Sequence, residues 1–323
     1  MEASAGADQE ALSLARCLGY LIRELPSRAK VIVADEVLAC NADDEGMKDL
    51  SQFYINHLIR VFRQNKGQTP TQSEHPSRPS FEMHRAFFSE VAEPAPRDHS
   101  TAKSSALKRD NLRCVVTGWV DSSSKASLGP AEMQRYNVNP NSPETYTNYC
   151  HIFPPSTNWS FDSNDPEEKK KRYAGTVWAI INAFGAIDVL SELGGEKIHR
   201  LENGFTMDPT LHTYFDDLKL WFEEVPNAIN TYRVCTFSNT IGPLLVFPPN
   251  HIITFTSTDP DLPVPNPAYL NLHAAVCRIA HMSGAAGYLY LEDREIEKLK
   301  VLSRDGSSAK FLASRLKSVE LRT

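Results

Sequence analysis

Apolar residues between Gln9 and Lys66 return at helical spacing: Leu12, Ala15, Leu18 and Ile22, a further run after Pro26, then Leu50, Phe53, Ile55, Leu58, Val61 and Phe62. This periodicity predicts three helices and a helical N-terminal unit over residues 1–66. The composition then shifts to Pro, Ser, Thr and Gln, which predicts a partly disordered linker over 67–100 with an apolar island at "FEMHRAFFSEV". Ser100 or Thr101 caps a helix through "STAKSSALKRDNL". "RCVVTG" follows as a short β-branched strand stopped by glycine, and Asp121 to Pro143 reads as a long surface loop.

The second half alternates strand and helix signals. "YCHIFP" reads as a strand, Pro166 to Phe184 as a helix, and Ala186 to Leu193 as a shorter helix ended by "LGG". Asn203 and Gly204 form a turn beside a short strand, while Asp208 followed by Pro209 is an N-cap with proline at the first helical position. Leu211, Phe215, Leu218 and Phe222 fall 4, 3 and 4 apart and predict the buried stripe of that helix, with His212 one residue off it and Asp216 one turn beyond. "YRVCTF" and "LLVFPPNHIITFTS" read as a strand pair, and Pro267 to Ala286 as a helix followed by two amphipathic pieces.

Charge narrows the function. The net charge of −6 and pI near 5.9 do not favour non-specific nucleic-acid binding, which comes largely from Lys and Arg releasing counterions from phosphates. "EEKKKRY" and "KIHR" are the local basic runs, the first best read as a solvated helix face. The six cysteines form no CxxC pair, so neither a disulfide scaffold nor a zinc ribbon is signalled. The start is polar and acidic and no stretch is apolar enough to span a bilayer, so an intracellular protein of cytoplasm or nucleus, without signal peptide or transmembrane segment, is expected. No phosphate-cradling glycine loop and no GxSxG elbow is present. His273, Cys277 and His281 recur every four residues, but their apolar neighbours point to packing rather than a metal site.

Three pieces remain, in order: "YCHIFP" on a strand, "RLENGFTM" at a turn, and "LHTYFDDLKLWF" on the next helix. With "RDNLRCVVTG" before them and "LHAAVCRIAHMSGAA" after, residues 100–285 resemble the HNH nuclease family, in particular its fungal branch. The resemblance implies an α+β fold: a ββα-metal finger of two antiparallel strands on one helix, embedded in a mostly helical domain over 101–323. It implies that His151, Asn203 and His212 converge around one divalent ion, Mg²⁺ foremost and Zn²⁺ or Mn²⁺ as alternatives. His151 would take the proton of the attacking water, a task suited to a neutral imidazole. Asn203 would bridge the strand loop and hydrogen-bond that ring, fixing the nitrogen free to act. His212 would ligate the metal with Asp216 as the carboxylate placed to join it. Many HNH enzymes carry an acid before the first histidine, where Cys150 stands here; it reads as a packed thiol, or alternatively as a zinc thiolate.

The implied activity is metal-dependent endonuclease cleavage of DNA. Two alternatives stay open. In one, the fold serves small-molecule chemistry in fungal secondary metabolism: a cyclisation, a cycloaddition such as a Diels–Alder reaction, or an isomerisation. Trp159, Phe161, Trp178, Phe184, Tyr214 and Trp221 would then wall a pocket for an apolar substrate. In the other, the chain is a non-catalytic interaction protein.

Overall fold

A computed structural model describes residues 2–63, 79–91, 100–158, 167–184, 187–237, 247–257 and 259–298. Most of the expected linker, Trp159 and Phe161, the apolar run at 244–246 and the last amphipathic piece lie outside the described residues.

The described chain opens with helices α1 (Glu2–Glu24), α2 (Ser27–Ala39) and α3 (Asp44–Tyr54), and α3 runs on through a π-helical turn at Ile55–Ile59. Asp43 starts α3 by accepting from the Glu45 and Gly46 amides, two donors with no intrahelical partner. The stretch read as linker contains helix α4 (Pro79–Val91), whose Phe88 ring lies edge-on to Trp178 with centroids 6.0 Å apart. The helical spacing within "FEMHRAFFSEV" carries this packing, and the polar residues around it had masked the signal.

Helix α5 (Ser100–Arg109) precedes a turn rather than the strand expected at "RCVVTG". The Gly118 amide donates back to the Cys114 carbonyl and the Val115 amide to the Thr206 carbonyl, so the segment is satisfied without a strand partner along its length. Strand β1 (Val120–Asp121) pairs in parallel with β2 (Glu144–Thr145). Between them the expected loop folds into two short helices, α6 (Ser122–Ser127) and α7 (Pro130–Arg135). Asp121 caps α6 through Ser124 and also accepts from Thr147. Burial alone would raise its pKa, but these hydrogen bonds outweigh it and hold the carboxyl below its usual range.

The centre is a hairpin, β3 (Asn148–His151) antiparallel to β4 (Gly204–Met207), with Cys150 opposite Phe205 and His151 opposite Gly204. Its long connection holds, among the described residues, a 3₁₀ turn at Pro155–Asn158, α8 (Glu167–Phe184), α9 (Val189–Leu193) and two further 3₁₀ turns, Gly195–His199 and Leu201–Asn203. After β4 comes α10 (Pro209–Asp216), then a three-stranded antiparallel sheet of β5 (Leu220–Glu224), β6 (Thr231–Thr236) and β7 (Ile252–Thr254), then α11 (Pro267–Ser283) and α12 (Ala285–Lys298). Gly284, in the left-handed region at φ 88°, ends α11.

The expected stripe on α10 is buried throughout but is not one helix. Leu218 takes φ 62°, the helix stops at Asp216, and Phe222 belongs to β5. Buried Leu220 and Phe222 alternate with half-buried Trp221 and Glu223, the period of a strand. The architecture is α+β, mostly helical with small sheets. One buried cluster joins Leu21, Phe53 and Leu58 of the N-terminal helices to Trp178, Phe153, Phe205, Phe215, Leu270 and Val276.

Candidate metal centre and its histidine pair

Side chains on a strand alternate between faces, and on β3 this alternation sorts the chemistry. Tyr149 and His151 point one way. Tyr149 packs with Ala102 and Ala106 of α5, and its ring lies edge-on to His151 with centroids 4.7 Å apart. Cys150 points the other way, toward α10.

On that second face Cys150, His212 and Asp216 each offer one donor atom, and the three atoms lie within 4.8 Å of one another. The Asp208 cap sets up the helix side of this group. Its Oδ1 accepts from the Thr210 and Leu211 amides while Oδ2 accepts from the Thr145 hydroxyl, so Asp208 serves as a cap rather than a ligand. His212 and Asp216, four residues apart, then share one helix face at 3.4 Å, both partly exposed. Cys150 is fully buried, and burial, followed by the negative charges of Asp216 and Cys114, pushes its thiol well above the ordinary range. A cation held by these donors would favour the thiolate instead, since a metal-bound thiol ionises.

His151 lies outside this group of donors. Its Nε2 is 2.8 Å from Nδ1 of His199, at the end of the 3₁₀ turn Gly195–His199. Asn203 is completely buried: its Oδ1 accepts from the Phe153 amide, and its Nδ2 donates to the carbonyls of Phe153 and Ile198. The amide therefore ties the loop after β3 to the turn at Ile198 through backbone partners, and Nε2 of His151 meets His199 rather than Asn203. His199 was legible in the sequence only as part of the basic run "KIHR".

Gly204 lets the first face close. A Cβ there would come within 2.5 Å of the Tyr149 ring and 2.6 Å of the Cys150 carbonyl oxygen, so only glycine admits this approach.

The spaced residues of α11 pack, as their surroundings suggested. His273 stacks on Phe215 with centroids 3.9 Å apart, Cys277 lies beside it, and the His281 Nε2 meets the Leu218 carbonyl at 2.8 Å. Of the aromatics considered for a small-molecule pocket, Trp178 and Phe184 lie in the core and Tyr214 and Trp221 are half-buried. A cavity of about 480 Å³ between α1, β5 and α11 and another of about 170 Å³ beside Arg113 and Thr254 are lined by neither His151 nor His212. No described helix is long and apolar enough to cross a membrane. No curated protein and no solved structure matches the chain. Residues 114–223, which contain the hairpin and α10, match the family model for HNH endonucleases, and this supports placing the region in an HNH family.

Proposed function

We propose that the chain is a metal-dependent endonuclease that hydrolyses phosphodiester bonds in DNA, with Cys150, His212 and Asp216 as metal ligands and His151 as general base. The reading rests on one observation above the others: a strand thiol, a helix imidazole and a helix carboxylate grouped within 4.8 Å, on the strand that also carries His151. The donor set fits zinc better than magnesium. Mg²⁺ takes oxygen ligands in octahedral geometry, whereas sulfur, nitrogen and oxygen together suit four-coordinate Zn²⁺ with one position open.

When bound, a divalent ion there supplies neutralisation of the charge that builds on the phosphate and on its leaving oxygen. The chain's own residues do the rest. His151 takes the proton of the attacking water, and Asn203 holds the loop that follows β3 against the turn that follows α9. Small-molecule chemistry draws less support, since Trp178 and Phe184, which were to wall a pocket, fill the core instead.

Metal analysis of the purified protein, combined with plasmid nicking in Zn²⁺, Mg²⁺ and Mn²⁺, tests the proposal. Bound zinc is expected, with nicking that drops about 10²- to 10⁴-fold in His151→Ala. A protein that binds none of these ions and nicks with none of them overturns it.

A further inference from the structure

We infer that His199 is a positioning residue for His151, fixing its ring tautomer and orientation through the contact between Nδ1 of His199 and Nε2 of His151. The inference rests on the reading of His151 as the base. Three observations carry it. The two nitrogens are 2.8 Å apart, a hydrogen-bonding distance in which one ring donates and the other accepts. The backbone on either side of His199 is pinned: the Ile198 carbonyl accepts from Asn203 Nδ2 at 2.8 Å, and the Arg200 carbonyl from the Tyr149 hydroxyl at 2.8 Å. Tyr149 in turn lies edge-on to the His151 ring, so the same side chain steers the base and anchors the turn that holds its partner.

The direction of the hydrogen bond follows from the role. A base must present an unprotonated nitrogen, and Nε2 of His151 faces His199. His199 Nδ1 therefore accepts from Nε2–H of His151, leaving Nδ1 of His151 with the basic lone pair; the opposite arrangement would leave that ring no lone pair outside the contact. Asn203 thus reaches the base indirectly, through Ile198 and the turn that ends in His199.

Nitrogen-15 correlation spectra of the full chain with labelled histidine and added zinc read each ring's tautomer, with His151 assigned by the signals lost in His151→Gln. The expected wild-type result is Nε2–H on His151. His199→Asn, whose amide sits where Nδ1 was, keeps that tautomer; His199→Gln and His199→Phe shift it. In plasmid cleavage, kcat falls about 10- to 100-fold in the Gln and Phe variants at unchanged KM and recovers in the Asn variant, the scale seen when a partner that orients a catalytic ring is removed. An Nδ1–H tautomer of His151 in the wild type, or one unmoved in both the Gln and Phe variants, overturns the inference. If the wild type cleaves no DNA, the nuclease reading falls while the spectra still decide the role of His199. Should one variant fail to fold, the remaining pair of spectra gives the same answer.

Discussion

Helices α10 and α11 both carry metal-ligand residue types at four-residue spacing, yet only one of them contributes to a group of converging donors among the described residues. On α10, His212 and Asp216 are partly exposed and meet a thiol from a different element, Cys150 of β3. On α11, His273 is fully buried and stacked on Phe215, Cys277 is its neighbour on the same helix, and His281 is occupied by the Leu218 carbonyl and stacked on Phe237 at 3.8 Å. Spacing places side chains on a face. A site further requires that a second element deliver a donor and that the side chains not be spent on packing.

The contrast can be broken at its strongest point by exchanging the roles. His212→Ala is expected to abolish zinc retention and to lower nicking by at least about 10²-fold, while His273→Phe leaves metal content unchanged. Equal zinc loss in both variants, measured by metal analysis, would erase the distinction. Cys150→Ser sharpens it: a hydroxyl in place of the thiol should weaken zinc by more than the roughly 10- to 100-fold lost when only a ligand's supporting partner is removed, with Mg²⁺ and Mn²⁺ less affected.

Next in size is a pH effect confined to α11. Burial lowers the His273 pKa to about 3, against 6.5 for an ordinary histidine. Below about pH 6.5 the unfolded chain binds a proton that the buried ring refuses. Stability therefore falls as pH drops toward about 3, at up to about 1.4 kcal/mol per pH unit. His273→Phe should flatten the decline of Tm between pH 6.5 and 4, and an unchanged slope would show that the ring is not held neutral. The smallest effect belongs to the start of α10: Asp208→Ala removes the cap and should cost about 1 kcal/mol, read by denaturant unfolding.

Local chemistry was readable where it is self-contained. Asp208 before Pro209 announced α10, and the apolar neighbours of His273 announced its burial, because cap and core both depend on nearby residues. The limits appear where distant residues decide. Leu218 and Phe222 continue the 4-3-4 spacing of α10 although a left-handed residue has already ended the helix, so two unrelated elements together imitate one stripe. "RCVVTG" has strand composition, but the Thr206 carbonyl accepts the Val115 amide from 91 positions away and leaves a turn. Cys150 is buried in the core as a packed thiol is, but its neighbours in sequence say nothing of His212 and Asp216, whose donor atoms lie within 4.8 Å of its own. His199 stood out only as one member of the basic run "KIHR"; the fold alone brings it to a ring 48 residues earlier.

Arg278 of α11 reaches Glu24 of α1 at 2.8 Å and Glu223 of β5 at 3.2 Å, tying the first helix to the last strand of the region that matches the HNH model. This latch bears on how the protein can be cut. A fragment trimmed to residues 114–223 would lose both helices, leave Glu223 without its guanidinium and open Phe215 and Phe222 to water, inviting precipitation rather than a smaller working enzyme.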